Sequence, residues 1–201
     1  MDTLDSQISF LLEADRLKAV LRQTTLTDGS RQENSAEHSW HLALMALVLS
    51  EHRPPGVDLA RVMAMVVIHD LVEIDAGDLF LYADEAAQRR QRAAELAAAE
   101  RLFALLPGEQ GGRTRALWEE FEERVTADAK FARALDRLQP MLLNMACAGG
   151  TWVKHAVTAP EVLARVALIE DGAPALGAFA RDLVESAVSR GYLQRGAGGP
   201  A

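Results

Sequence analysis

Apolar residues recur every three or four positions along nearly the whole chain, while alternating runs rich in Val, Ile, Thr or aromatic residues are missing. The first pattern paints an apolar stripe on a helix, and the second is what a half-buried strand requires. The chain is therefore expected to be all-α, a bundle of many short helices without a sheet. With 201 residues, 49% of them apolar, it is long enough to bury one good core. No internal repeat or interdomain linker is visible. Residues 1–195 are expected to form one domain and 196–201, which lack core residues, a flexible tail.

Ile8, Leu11, Leu12, Leu17, Val20 and Leu21 mark one face of a first helix, starting near Asp2 or Asp5 and ending around Thr24 to Gly29. Thr27, Asp28, Gly29 and Ser30 form a loop flanked by Arg22, Arg31 and Glu33, charged residues that face solvent or hold an anion. Ser35 can cap a second helix that carries His38 in its first turn and continues through Leu42, Met45 and Val48. Arg53-Pro54-Pro55-Gly56 stops it, and Asp58 caps a third helix running to Leu71. The short connection makes an antiparallel hairpin, which brings His38 beside His69 and Asp70. Glu73 lies four residues after His69 and three after Asp70, on the same helical face, and Gly77 allows a sharp turn into Asp78.

Further helices are expected over Asp84–Leu106, from Thr114 to Arg124, and from a Thr126 cap along Phe131, Leu135, Leu138, Met141 and Met145. Asp136 sits inside that last apolar helix, either turned outward or paired with a cation, because an isolated buried carboxylate is costly. Gly149-Gly150 breaks the helix, Trp152 to Val157 connects, and two more helices begin at Pro160 and Pro174.

Two imidazoles and two carboxylates, His38, His69, Asp70 and Asp136, thus come from three helices. Their mixed nitrogen and oxygen donors suit one divalent metal ion, Mn, Co, Fe, Ni, Zn or Mg. The alternative is that they are ordinary polar residues. Cys147 is the only cysteine, which excludes an internal disulfide and a Cys-rich zinc site. A net charge of −8 tells against a long nucleic acid, which needs a dense basic face, but leaves room for a small phosphorylated substrate. No charged and apolar leader and no membrane-spanning run is present, so the expected location is cytoplasmic.

Glu37-His38-Ser39-Trp40, His69-Asp70-Leu71-Val72-Glu73 and Leu135-Asp136-Arg137-Leu138-Gln139-Pro140 together resemble the signature of HD-domain metal-dependent phosphohydrolases. Arg31-Gln32-Glu33-Asn34-Ser35-Ala36-Glu37-His38 and the run from His69 to Asp78 are similar, without gaps, to motifs of the 5'-deoxynucleotidase branch. The likeness covers roughly residues 10–147. It implies a single-domain HD-type helical bundle that binds one divalent metal through His38, His69, Asp70 and Asp136. It implies further that Glu73 is the acid/base residue, that Asp78 contacts the substrate sugar and that Arg22, with Arg31 as a second candidate, holds phosphate. Capping the following turn is an alternative for Asp78, and pairing with Glu33 is one for either arginine.

One departure from the branch concerns specificity. The deoxynucleotidases resembled carry a tryptophan after the phosphate-holding arginine, credited with excluding the ribose 2'-hydroxyl, where this chain has Gln23. The implied substrate is a nucleoside 5'-monophosphate, deoxy or not, or a similar small phosphomonoester. His41, His52 and His155 are expected outside the first ligand sphere, and Trp40, Trp118 and Trp152 in the core. Broad apolar helix faces and the family resembled suggest a homodimer, with no membrane partner.

Overall fold

A computed structural model describes residues 2–196; of the expected tail, residues 197–201 lie outside the described residues. α1 (Thr3–Ala14) and a 3-10 turn (Asp15–Ala19) lead into β1 (Leu21–Thr25) and β2 (Gln32–Asn34). There follow α2 (Ser35–Val48), α3 (Leu59–Ile68), α4 (Glu73–Ala76), α5 (Glu85–Phe103) and α6 (Glu109–Glu123). The chain continues through α7 (Ala127–Ala146), α8 (Gly150–Lys154), α9 (Ala159–Gly172) and α10 (Pro174–Ser189). No helix among the described residues is long and apolar enough to cross a membrane.

The architecture is helical as expected, but the expectation of no sheet is corrected. β1 and β2 pair antiparallel, Leu21 opposite Asn34 and Thr25 opposite Gln32. Strands of five and three residues are too short to display alternation. Turn chemistry closes them: Asp28 Oδ1 accepts from the Ser30 amide at 2.9 Å, and Gly29 adopts φ +70°. The backbone groups of Val20 and Leu21 are therefore spent on the hairpin and on Ser35, and the first helix stops at Ala14. Its expected inner face is also corrected, since Ile8, Leu11 and Leu12 are exposed.

Side-chain caps fix the starts of several of the longer helices. Asp58 accepts from Ala60 N, Asp84 from Ala87 N and Thr126 from Ala129 N. At α2 the cap is Asn34 rather than Ser35, in a box where Asn34 Oδ1 accepts from Glu37 N at 2.9 Å and Glu37 accepts from Asn34 N at 3.2 Å. α3 ends at Ile68, and the next residues tighten into 3-10 bonds such as Glu73 N to Asp70 O at 2.9 Å. His69 and Asp70 therefore precede Glu73 across a turn instead of sharing one continuous helix with it. The connector after Trp152 is likewise partly helical, as α8.

α7 is the spine, buried around most of its circumference by α2, α3, α6, α9 and α10. Phe131, Leu135 and Leu138 share one core with Leu42, Met65, Val66, Val166 and Ile169. A smaller core of Leu17, Leu71, Val72, Leu102, Phe103 and Trp118 supports the turn after α3. Small residues set how closely α9 approaches α7, because a Cβ on Gly172 would collide with the Lys130 carbonyl oxygen. Gly172→Ala is expected to cost about 1–3 kcal/mol in urea unfolding. Gly112→Ala, where a Cβ meets nothing within 4 Å, serves as the control and should be neutral or slightly stabilising; equal behaviour of the two variants would refute the packing account.

Candidate metal centre

The α2–α3 hairpin and the spine bring four buried side chains to one point. His38 Nε2 lies 3.1 Å from Asp136 Oδ1. His69 Nε2 lies 3.0 Å from Asp70 Oδ1 and 3.8 Å from Asp136 Oδ1. The opposite nitrogen of each ring is anchored: His38 Nδ1 is 3.1 Å from Gln139 Oε1, and His69 Nδ1 is 2.9 Å from the Val66 carbonyl oxygen. Both anchors can only accept, so each Nδ1 carries a proton and each Nε2 faces the carboxylates, placed to offer its lone pair to a bound cation.

Lone pairs facing carboxylates in a buried space call for a cation between them. His69 Nε2 makes no aligned hydrogen bond although it is buried. Burial opposes charge on His69, yet the Asp70 and Asp136 carboxylates outweigh it and raise the ring to about 10. That shift measures the demand for positive charge at this spot. Burial and then the Arg22 guanidinium push His38 down to about 4, keeping it in the neutral form that ligates metals. The donor set, His38, His69 and Asp136 with Asp70 alongside, fits a divalent cation with nitrogen and oxygen ligands.

A cleft of about 350 Å³ opens beside this point. Arg22, at the start of β1, places Nη1 2.8 Å from Asp70 Oδ2, 3.8 Å from Asp78 Oδ1 and 4.0 Å from Glu73 Oε1. Glu73, at the first turn of α4, accepts a 2.6 Å hydrogen bond from Ser35 Oγ on Oε2. Burial, and next the neighbouring Asp70, raise the Glu73 carboxyl well above its ordinary range. Burial also raises Asp78. Gln23 lines the same cleft. Arg31 does not: it is exposed and forks onto Glu37 at 2.6 and 2.8 Å. The α2 capping box holds its counter-charge, Glu37, beside the hairpin turn, so Arg31 stands apart from the cleft lining.

Several residues at the centre carried no signal in the sequence. Gln139, one turn after Asp136, bridges His38 and Glu33, with Nε2 donating to Glu33 Oε1 at 2.6 Å. Helical i, i+3 spacing from Asp136 was the available clue. Arg133 donates to Asp136 Oδ2 at 3.1 Å and lies over the Phe121 ring at 4.4 Å. Trp118 Nε1 donates to the His69 carbonyl at 3.1 Å, and Phe121 meets the His69 ring edge-on at 4.9 Å. Of the remaining aromatics, Trp152 is buried as expected, whereas Trp40 is 66% exposed and stacks on His41. His41 reaches the network at its margin, its Nδ1 3.3 Å from Gln139 Nε2.

Histidine, a distant His-Asp pair and a later aspartate meeting on helices define the HD architecture, and an HD domain family model matches residues 14–176. The chain belongs to the HD-domain family. The 5'-deoxynucleotidase HDDC2 of Xenopus laevis is 33% identical over 138 residues, 68% of this chain and 67% of that protein. The human protein of the same name is 29% identical over 138 residues, 68% of this chain and 66% of its own. The matched stretch thus spans about two thirds of these relatives. A crystal structure described as a predicted metal-dependent phosphohydrolase from Magnetospirillum magnetotacticum is 54% identical, with a TM-score of 0.92 and 96% of each chain covered. A conserved hypothetical protein from Pyrococcus furiosus, 22% identical with a TM-score of 0.62 over 90% of this chain and 99% of that one, shares the fold.

Gln139→Leu strips His38 Nδ1 and Glu33 of their shared partner. Affinity for added Mn²⁺ or Co²⁺, measured by equilibrium dialysis, is expected to fall about 10–100-fold, while His52→Ala should leave it unchanged.

Proposed function

We propose that this protein is a metal-dependent phosphohydrolase that releases phosphate from nucleoside 5'-monophosphates or similar small phosphomonoesters. The observation that carries the reading is the paired presentation of His38 and His69 Nε2 toward Asp70 and Asp136 beside an open cleft. His38, His69, Asp70 and Asp136 hold one divalent ion, of the group Mn, Co, Fe, Ni, Zn or Mg. Such an ion, when bound, lowers the pKa of a water and polarises a phosphoryl oxygen. The names of the relatives, deoxynucleotidases and a metal-dependent phosphohydrolase, support both the reaction and the substrate class.

The chain's own groups divide the remaining work. Arg22, kept charged by four surrounding carboxylates, holds phosphate oxygens as charge builds on them. Glu73, its carboxyl raised by burial and by Asp70 and its Oε2 fixed by Ser35, carries a proton and delivers it to the departing alkoxide. Asp78 contacts the sugar, and Gln23 borders the position of its 2'-carbon.

Residues 1–195 act as one domain, supported by the large core that α7 shares with α9 and α10. A homodimer is supported by the exposed apolar faces of α1 and α2, where Leu11, Leu12, Trp40, Leu47 and Val48 are uncovered. A cytoplasmic location accords with a lone cysteine and a nucleotide substrate.

Chelator-treated protein should release no phosphate, and one or more divalent metals added back should restore turnover on a panel of mono-, di- and triphosphates. Silence with every metal and every substrate would sink the enzymatic reading. Glu73→Gln should keep its metal and lose roughly 10²–10⁴-fold in kcat. With Gln23 in place of an excluding ring, AMP and dAMP should differ by less than about tenfold in kcat/KM.

A further inference from the structure

Within the cleft a single arginine, Arg22, meets Asp70, Glu73 and Asp78. The same lining includes five further arginines, Arg92, Arg124, Arg133, Arg137 and Arg165. Glu122 engages three of these, Arg92 at 3.4 Å, Arg124 at 3.7 Å and Arg133 at 3.1 Å. Arg133 is further satisfied by Asp136.

Arg137 and Arg165 are the least engaged of the five, although Arg133 also leaves its Nε without a partner. Arg137 reaches Asp136 Oδ2 only at 3.6 Å, on an oxygen that Arg133 already occupies, and its buried Nε has no partner. Arg165 donates to the Leu81 carbonyl at 3.3 Å, and its buried Nε is also unpartnered. Buried N–H groups without acceptors are rare and costly, and a guanidinium offers its donors in a fork that suits phosphate. In a chain of net charge −8, two incompletely paired arginines lining one cleft are not a by-product of basic composition.

We propose that Arg137 and Arg165 form an anion subsite that takes a second phosphate carried by the substrate, making nucleoside bisphosphates the preferred class. This rests on the phosphohydrolase reading of the adjacent centre. Arg137 and Arg165 line the same cleft as Arg22, Asp78 and Gln23, so a nucleotide that places one phosphate at the metal centre can offer them a second.

Adenosine 3',5'-bisphosphate and AMP serve as the probes, compared on metal-loaded protein by calorimetry and by phosphate release. The unaltered protein should bind the bisphosphate at least about tenfold more tightly. Arg165→Gln should remove about tenfold of that preference, and Arg165→Lys, which keeps the charge without the fork, should restore part of it. Equal affinity of the unaltered protein for both nucleotides overturns the subsite whether or not a variant folds. A binding preference without phosphate release from either nucleotide keeps the subsite and removes the phosphohydrolase reading, whereas release from AMP with no preference does the reverse.

Discussion

Asp136 is a carboxylate in the middle of a helix that is buried nearly all round, and its compensation organises the molecule. Alone in that position it would cost several kcal/mol or more. Oδ1 faces the two imidazoles, and Oδ2 faces Arg133 and Arg137. Each partner brings a further requirement. His38 needs Gln139, Gln139 holds Glu33, and Glu33 also accepts from Thr24 on β1. Arg133 needs Glu122 from α6. A chain of charge pairing therefore ties the hairpin, α2, α6 and the spine into one unit, which explains why a helical protein keeps two short strands.

The same logic separates what the surface does from what the cleft does. A strongly acidic exterior disfavours long polyanions, while the interior of the cleft gathers arginines that exterior carboxylates do not reach. A small phosphate ester enters such a space as a replacement counter-charge. Around Arg22, carboxylates outnumber the one guanidinium and favour a cation; Arg137 and Arg165, each short of a full set of acceptors, favour an anion. Both demands are met together by a metal ion and a phosphorylated ligand, which links the family assignment to the proposed chemistry through charge balance rather than through name.

Legibility in the sequence followed the range of the interaction. Asp58, Asp84 and Thr126 could be read as caps because a cap acts within three residues. His38, His69-Asp70 and Asp136 could be read because helical spacing and a known signature coincide. Asn34 and Ser35 could not be told apart as caps, being adjacent and both suited; only the fold shows that Glu73 claims the Ser35 hydroxyl. Arg22 and Arg31 flank the same loop, and the resemblance ranks Arg22 first; in the fold Arg22 faces the cleft and Arg31 pairs with Glu37 on the surface. The outward faces of α1 and of Trp40 were hidden for a related reason, since periodicity reports that a face is apolar and not what covers it.

The sequence by itself determined the helical class, the caps of α3, α5 and α7 and the kinds of donor group available to a metal, because these depend on dihedral preference, capping and residue type within a few positions. Tertiary structure decided which nitrogen of each histidine points inward, which carboxylates surround Arg22, and which arginines remain incompletely paired. Those outcomes depend on distances between groups as much as a hundred residues apart, such as the 3.1 Å between His38 Nδ1 and Gln139 Oε1, 101 positions apart. Electrostatic pairing is satisfied in space, and local pattern carries no record of it.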